Sequence, residues 1–191
     1  MKKVIGIFGS PRIDGNSDIL LNHALKGAKA NGADIEQIFI RELHIAPCNS
    51  CGGCYENGKC VIDDDMQGIY SKLIEADGII VATPLYFMGI SAQLKALVDR
   101  CQAFWARKYL LKIPAREGGS FSRGFFIATA ARNNGEELFF GAIKTIKAFF
   151  HVLDIEYKGD LLCAGLEEKG SVNTRKHLLQ KAEDAGRELF H

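Results

Sequence analysis

The chain has 191 residues, of which 47 % are hydrophobic and 25 % charged, the balance of a globular protein long enough for one well-buried core. Its 24 basic and 23 acidic side chains nearly cancel, leaving no basic excess of the kind that nucleic-acid binding needs. No apolar run approaches the roughly 18 residues of a membrane span. The positive start Met1-Lys2-Lys3 leads into an apolar run that breaks at Gly9-Ser10-Pro11-Arg12, too soon for a secretory signal, so a cytoplasmic protein is expected.

Taken in chain order, the signals alternate between strand and helix. Val4-Ile5-Gly6-Ile7-Phe8 is almost wholly apolar, as a strand buried on both faces of a parallel sheet must be. Apolar residues at helical spacing (Ile19, Leu20, Ala24, Leu25, Ala28) predict a helix over 18–30 that stops near Asn31-Gly32. Ile35 to Ile40 alternates as a second strand. No period runs through Arg41 to Asp65, an insertion whose cysteine-rich part spans about 44–65. A loop of that length in a compact domain usually has a function. Met66 to Glu75 reads as a helix and Gly78 to Ala82 as a third buried strand. Ser91 opens another helix, through Leu94, Leu97, Val98 and Cys101 to about Arg107. Phe121 to Ala130 reads as a fourth strand, Gly135 to Phe150 as a helix, Ile155 to Cys163 as a fifth strand and Val172 to Phe190 as the closing helix. The alternation predicts one α/β domain over 1–191, three layers deep around a doubly wound, five-stranded parallel sheet with right-handed crossovers. Such sheets bind ligands beyond the carboxyl ends of their strands, which directs attention to the loops after strands one, three and four.

The first of these loops, Gly9 to Ser17, lies between a buried strand and a helix N-terminus, where free amides and the helix dipole favour an anion. Ser10, Asn16 and Ser17 are short donors, Arg12 is a cation, and Gly15 frees the backbone to curl round a phosphate. The pattern is neither G-x-G-x-x-G nor G-x-x-x-x-G-K-[ST], which disfavours a dinucleotide or triphosphate loop. The plainer alternative is a polar connection with Ser17 as helix cap. The loop after strand three, Thr83 to Ser91, places Pro84, Leu85, Tyr86, Phe87 and Gly89 at the same edge. Aromatic side chains and free backbone amides there suit a flat ring with a polar rim, unless the aromatics belong to the core.

Cys48, Cys51, Cys54 and Cys60 lie within one short loop at x2, x2 and x5 spacing, so four thiolates can converge on one soft metal centre. The tandem x2-x2 run is similar to the bacterial ferredoxin arrangement, which binds a [4Fe–4S] cubane, whereas zinc sites more often use pairs separated by a long loop. A zinc knot, disulfides and free thiols remain open alternatives, although cytosolic cysteine clusters favour metal or redox chemistry over disulfides. Gly52 and Gly53 are expected to allow positive φ and close amide approach to the sulfurs. Cys101 and Cys163 read as buried hydrophobes. His23, His44, His151, His177 and His191 have no evident partner and read as surface or structural residues. Phe104, Trp105, Phe149 and Phe150 fit either the core or a subunit interface.

Gly9-Ser10-Pro11-Arg12 with Gly15-Asn16-Ser17, then Thr83-Pro84-Leu85-Tyr86-Phe87, then Ala92 to Arg100, together resemble the NADPH-dependent FMN reductase group of flavodoxin-like proteins. The cysteine run followed by Val61-Ile62-Asp63-Asp64-Asp65-Met66 is similar to one branch of it, the iron–sulfur flavoproteins. The resemblance implies a flavodoxin-like sheet of order 2-1-3-4-5, FMN, a [4Fe–4S] cluster, and a homodimer or homotetramer with flavin near the subunit interface. By position, Ser10, Arg12, Asn16 and Ser17 would hold the FMN phosphate, with Pro11 and Gly15 in the same loop. Pro84 to Phe87 would line the isoalloxazine, with Gly89 and Thr129 at the pocket, and the four loop cysteines would ligate the cluster. The loop after strand four, Thr129 to Gly135, departs from the pattern in carrying less glycine, which leaves Arg132 without an assigned role.

The expected function is therefore an FMN-dependent oxidoreductase passing electrons between FMN and a cluster. NAD(P)H is a candidate donor, and the electron partner is ferredoxin-like or a small molecule. The chemistry is carried by FMN, with no catalytic side chain. Two alternatives are an NAD(P)H-dependent flavin, quinone or azo reductase whose cysteine loop is empty or holds zinc, and a cysteine-based redox sensor.

Overall fold

The computed structural model describes residues 1–116, 122–133 and 135–191. Five parallel strands form one sheet: β1 (Lys3–Phe8), β2 (Asp34–Phe39), β3 (Gly78–Pro84), β4 (Ser122–Thr129) and β5 (Ile155–Cys163). Their order is β2-β1-β3-β4-β5, the flavodoxin-like order, with every neighbouring pair parallel. The helices are α1 (Asn16–Ala30), α2 (Met66–Glu75), α3 (Ala92–Arg100), α4 (Gln102–Trp105), α5 (Phe140–Val152) and α6 (Lys176–Arg187).

Strand pleating sorts the apolar residues into two cores. Val4 and Phe8 of β1, with Ile80 and Ala82 of β3, face α1 and α6, where Leu20, Leu21, Ala24 and Ala182 complete a dry layer. Ile5, Ile7, Ile79 and Val81 point the other way, onto Met66 and Leu73 of α2, Leu94 and Leu97 of α3, and Ile146, Phe149 and Phe150 of α5. Both faces are buried, which is why these strands read as continuous apolar runs. α1 and α6 pack backbone to backbone: a Cβ on Gly27 would sit 1.9 Å from the Glu183 carbonyl, and one on Gly186 would sit 1.8 Å from that of Ala24. Phe104, Phe149 and Phe150 are core residues, not interface.

Element boundaries depart from expectation where local signals compete. α1 starts at Asn16, not Asp18, because Gly15 takes the extended N-cap position; Ser17 lies inside the first turn and does not cap. The helix expected from Ser91 to about Arg107 breaks at Cys101, continues as α4, and ends in a wide π turn over Ala106–Leu110. The start expected at Gly135 is a 3₁₀ turn over Glu136–Phe139, and α5 proper begins at Phe140. Likewise a 3₁₀ turn over Ser171–Thr174 precedes α6. Phe121, taken as the start of the fourth strand, and Asn134 lie outside the described residues.

Candidate functional site

β1 and β3 are neighbours whose connections run to opposite faces of the sheet, so the chain opens a crevice at their carboxyl ends. Ser91 fastens that crevice. Its hydroxyl donates to the Gly9 carbonyl and accepts from Leu94 N–H at 3.2 Å, capping α3, while its own N–H donates to Thr83 Oγ1 at 3.2 Å. The loop after β1, the loop after β3 and the start of α3 are thereby held as one unit.

A cavity of about 220 Å³ opens at this edge, lined by Ser10, Arg12, Gly15, Asn16, Ser17, Pro84, Leu85, Tyr86 and Thr129 among others. Pro11 lies in the same loop and Gly89 closes the turn after Tyr86, but neither lines this cavity. No side chain caps α1, so its first-turn amides are left for a bound anion. Ser10 Oγ accepts from Arg12 N–H at 3.0 Å and donates to the Arg12 carbonyl at 3.1 Å, curling the loop round the helix start. Ser10 and Ser17 are buried, while the Arg12 side chain is exposed. A Cβ on Gly15 would lie 3.3 Å from Ser10 Oγ, a tight contact that the hydroxyl would have to yield to.

Asn16 has a different use from the one its residue type suggests. Its amide nitrogen donates to the carbonyls of Leu166 and Glu168 and to Ser171 Oγ, and its oxygen accepts from Val172 N–H at 3.1 Å. With its side chain engaged in this way, Asn16 draws the loop after β5 onto the cavity and leaves only its backbone N–H for a ligand. Glu167 and Lys169 consequently line the cavity, and sequence reasoning missed both because the contact spans about 150 residues. Beside this site, Asp18 pairs with Arg41 at 2.9 Å, but burial outweighs the arginine and raises its pKa to about 6.

A second cavity, about 410 Å³, shares Leu85, Tyr86 and Ala131 with the first and adds Phe87, Met88, Ala130, Arg132 and Leu138. It is more strongly apolar than the first. Tyr86 and Gly89 exchange backbone bonds of 3.0 and 2.9 Å around Phe87 and Met88, whose φ values of 49° and 63° are left-handed. Such a two-residue turn normally takes Asn-Gly. Here it carries a fully exposed phenylalanine and a half-exposed methionine, with exposed Phe140 near by on α5. The aromatics of this loop are therefore not core.

The four loop cysteines line a third cavity, together with Tyr55, Val61, Ile62, Arg100, Gln102 and Ala103. All four are free thiols, Cys51 exposed and the others half-buried. Among the described residues, no three His, Cys, Asp or Glu side chains lie close enough to share one metal ion. A single zinc needs every sulfur at about 2.3 Å, whereas a cluster binds each thiolate to a different iron. Burial raises the Cys54 thiol, and the sulfurs of Cys60, Cys48 and Cys51 push the same way. At Cys60 burial also works upward, but the Ile62 N–H, the Tyr70 hydroxyl and the Arg100 guanidinium outweigh it and hold the thiol below its ordinary pKa. Gly52 has positive φ, 73°, as expected; Gly53 does not, and is instead pressed against Val61, where a Cβ would meet a methyl at 2.8 Å.

The scaffold of that loop was not legible from residue types alone. Asp64, in the acidic run after Cys60, accepts from Ala46 N–H at 2.9 Å and Met66 N–H at 3.0 Å, and takes a bidentate pair from Arg100. Gln67 donates to the carbonyls of Cys60 and Ile62. α3 joins the two regions: its cap Ser91 ties the crevice loops and its last residue Arg100 lines the cysteine cavity, roughly 13 to 14 Å along the axis at about 1.5 Å per residue.

The other nucleophilic and titratable groups lie elsewhere. Cys101 and Cys163 are buried, and burial pushes the Cys163 thiol up to about 11. Three histidines do have partners: His23 faces Glu183 at 3.7 Å, His151 meets the Tyr109 hydroxyl at 2.7 Å, and His191 meets Asn31 at 3.3 Å. None of the three lines the crevice, the apolar cavity beside it or the cysteine cavity. No helix among the described residues is long and apolar enough to cross a membrane.

A model of the NADPH-dependent FMN reductase family matches residues 2–155. An iron–sulfur flavoprotein of Methanosarcina thermophila is 39 % identical over 158 residues, covering 83 % of this chain and 78 % of that one. An iron–sulfur flavoprotein of Methanocaldococcus jannaschii is also 39 % identical over 158 residues, covering 83 % and 76 %. Among solved structures, an NAD(P)H:quinone oxidoreductase from Methanothermobacter marburgensis superposes with a TM-score of 0.73 at 17 % identity over 98 % of both chains, a likeness of fold alone.

Proposed function

Since the chain belongs to the NADPH-dependent FMN reductase family, in its iron–sulfur flavoprotein branch, we propose that this FMN-dependent oxidoreductase exchanges electrons between FMN in the crevice and a [4Fe–4S] cluster on Cys48, Cys51, Cys54 and Cys60. The observation that carries the reading is a polar crevice whose loops are tied by Ser91, the cap of α3, and a four-thiol cavity lined by Arg100 at the other end of the same helix. When bound, FMN accepts electrons in pairs and releases them singly, and a cubane carries one at a time.

The residues divide the work of binding and shielding. The first-turn amides of α1, with Ser10, Ser17 and Arg12, hold the phosphate, and Lys169 adds a second cation from the loop after β5. Pro84 to Phe87 and Thr129 border the ring, Gly89 closes the turn that presents Phe87, and Arg132 offers positive charge at the apolar end. No side chain need act as nucleophile or general base. The exposed Phe87, Met88 and Phe140 suit burial in a homodimer or homotetramer. NAD(P)H as donor, a ferredoxin-like or small-molecule partner, and a cytoplasmic location complete the reading.

The two half-sites should be separable. Arg12→Ala is expected to weaken FMN binding by about 1–3 kcal/mol, one charge-assisted contact, while leaving riboflavin affinity and iron content unchanged. Cys51→Ala is expected to lose the iron and keep FMN. Flavin titrations and metal analysis of both variants check this; an Arg12→Ala protein that binds FMN like wild type, or a Cys51→Ala protein that sheds FMN with its iron, contradicts it.

A further inference from the structure

Arg100 is the largest fully buried side chain among the described residues and carries a charge. Nη1 donates to the Ala46 carbonyl at 3.0 Å and Nη2 to the Ile62 carbonyl at 3.1 Å. Ala46 lies two residues before Cys48 and Ile62 two residues after Cys60, so one guanidinium ties both ends of the cysteine loop. The same two nitrogens take the Asp64 carboxylate in a fork. Nε is buried and has no hydrogen-bond partner among the described residues, although Arg100 lines the same cavity as the four cysteines. A buried donor left unpaired is costly and calls for an explanation.

Loop closure alone does not explain a cation here. A buried ion pair contributes little to stability compared with apolar residues of the same volume. A cluster held by four thiolates is a net anion, however, and hydrogen bonds and charge around its sulfurs set both its retention and its potential. Resting on the reading that this loop carries a cluster, we infer that Arg100 is a positioning residue for that centre. It fixes the span of the loop through Ala46 and Ile62, and it sets the cluster's reduction potential through a positive charge that Asp64 only partly neutralises.

The test uses anaerobically prepared full-length protein: wild type, Arg100→Gln, Arg100→Lys and Asp64→Asn. Iron, sulfide and flavin are counted per chain, and the cluster potential is followed by EPR-monitored redox titration. Arg100→Gln is expected to lose at least half of its iron per flavin and to shift the remaining cluster to a more negative potential. Arg100→Lys should return the potential toward wild type without restoring full iron content. Asp64→Asn leaves the cation without its counter-charge and should shift the potential the opposite way, more positive. A clamp that only closes the loop would lower iron content in all three variants and leave the potential of the retained clusters unmoved; that result overturns the inference. If Arg100→Gln does not fold, as loss of flavin along with iron would reveal, Asp64→Asn decides: a positive shift upholds the inference, and no shift or a negative one overturns it. Wild-type protein without iron and sulfide overturns the cluster reading and this inference with it, whereas a full wild-type cluster with unmoved variants overturns the inference alone.

Discussion

Asp18 bears directly, through its ionisation, on the stability of this fold. It is buried at the first turn of α1, with one carboxylate oxygen on Arg41 and the other unpaired. Burial raises its pKa from 3.8 to about 6, despite Arg41 pulling the other way. A folded-state value above the unfolded one means that the folded chain holds the proton more tightly. The associated stability is present in full below about pH 4 and lost as pH rises through 6. Two pH units correspond to about 2–3 kcal/mol. Relative to wild type, Asp18→Asn should therefore gain about that much stability between pH 4 and 7, because asparagine has no charge to bury. Denaturant unfolding of both proteins across that range checks it, and parallel pH profiles contradict it. Asn16 was visible as a short donor in a phosphate-type loop, and it lines the crevice, but nothing local showed that its amide is engaged by a loop about 150 residues away.

At the scale of elements, what could be read depended on range. β1 and β3 came within two residues of expectation because both faces of the sheet are covered there and apolar runs mark them directly, and α2 and β5 kept their expected bounds. The helix after Ser91 was read too long because its apolar period continues past Cys101, where the backbone breaks into α4 and the π turn. The cysteine loop was found by spacing, whereas the Arg100–Asp64 fork that shapes it joins residues 36 apart and leaves no periodic trace. The turn after β3 has its own signature. Phe87 and Met88 occupy left-handed backbone at about 1–2 kcal/mol each, for the sake of an aromatic held out beside the apolar cavity. Replacing the pair by Asn-Gly should raise the thermal midpoint while weakening flavin retention or oligomer formation. Calorimetry with size-exclusion chromatography checks this; a lower midpoint contradicts the strain argument.

At the scale of the whole molecule, a flavodoxin-like sheet places a polar crevice at the β1/β3 switch point, and an insertion after β2 brings four thiols round one cavity beside the far end of α3. Thiols so close cannot all ionise without a metal to share their charge, which couples the order of the loop to metal occupancy. The central claim is that one chain carries both centres. Iron, acid-labile sulfide, zinc and flavin analysis of anaerobically purified wild-type protein tests it most directly. About four irons, four sulfides and one FMN per chain is the predicted result; stoichiometric zinc without sulfide, or flavin with no metal, would contradict it.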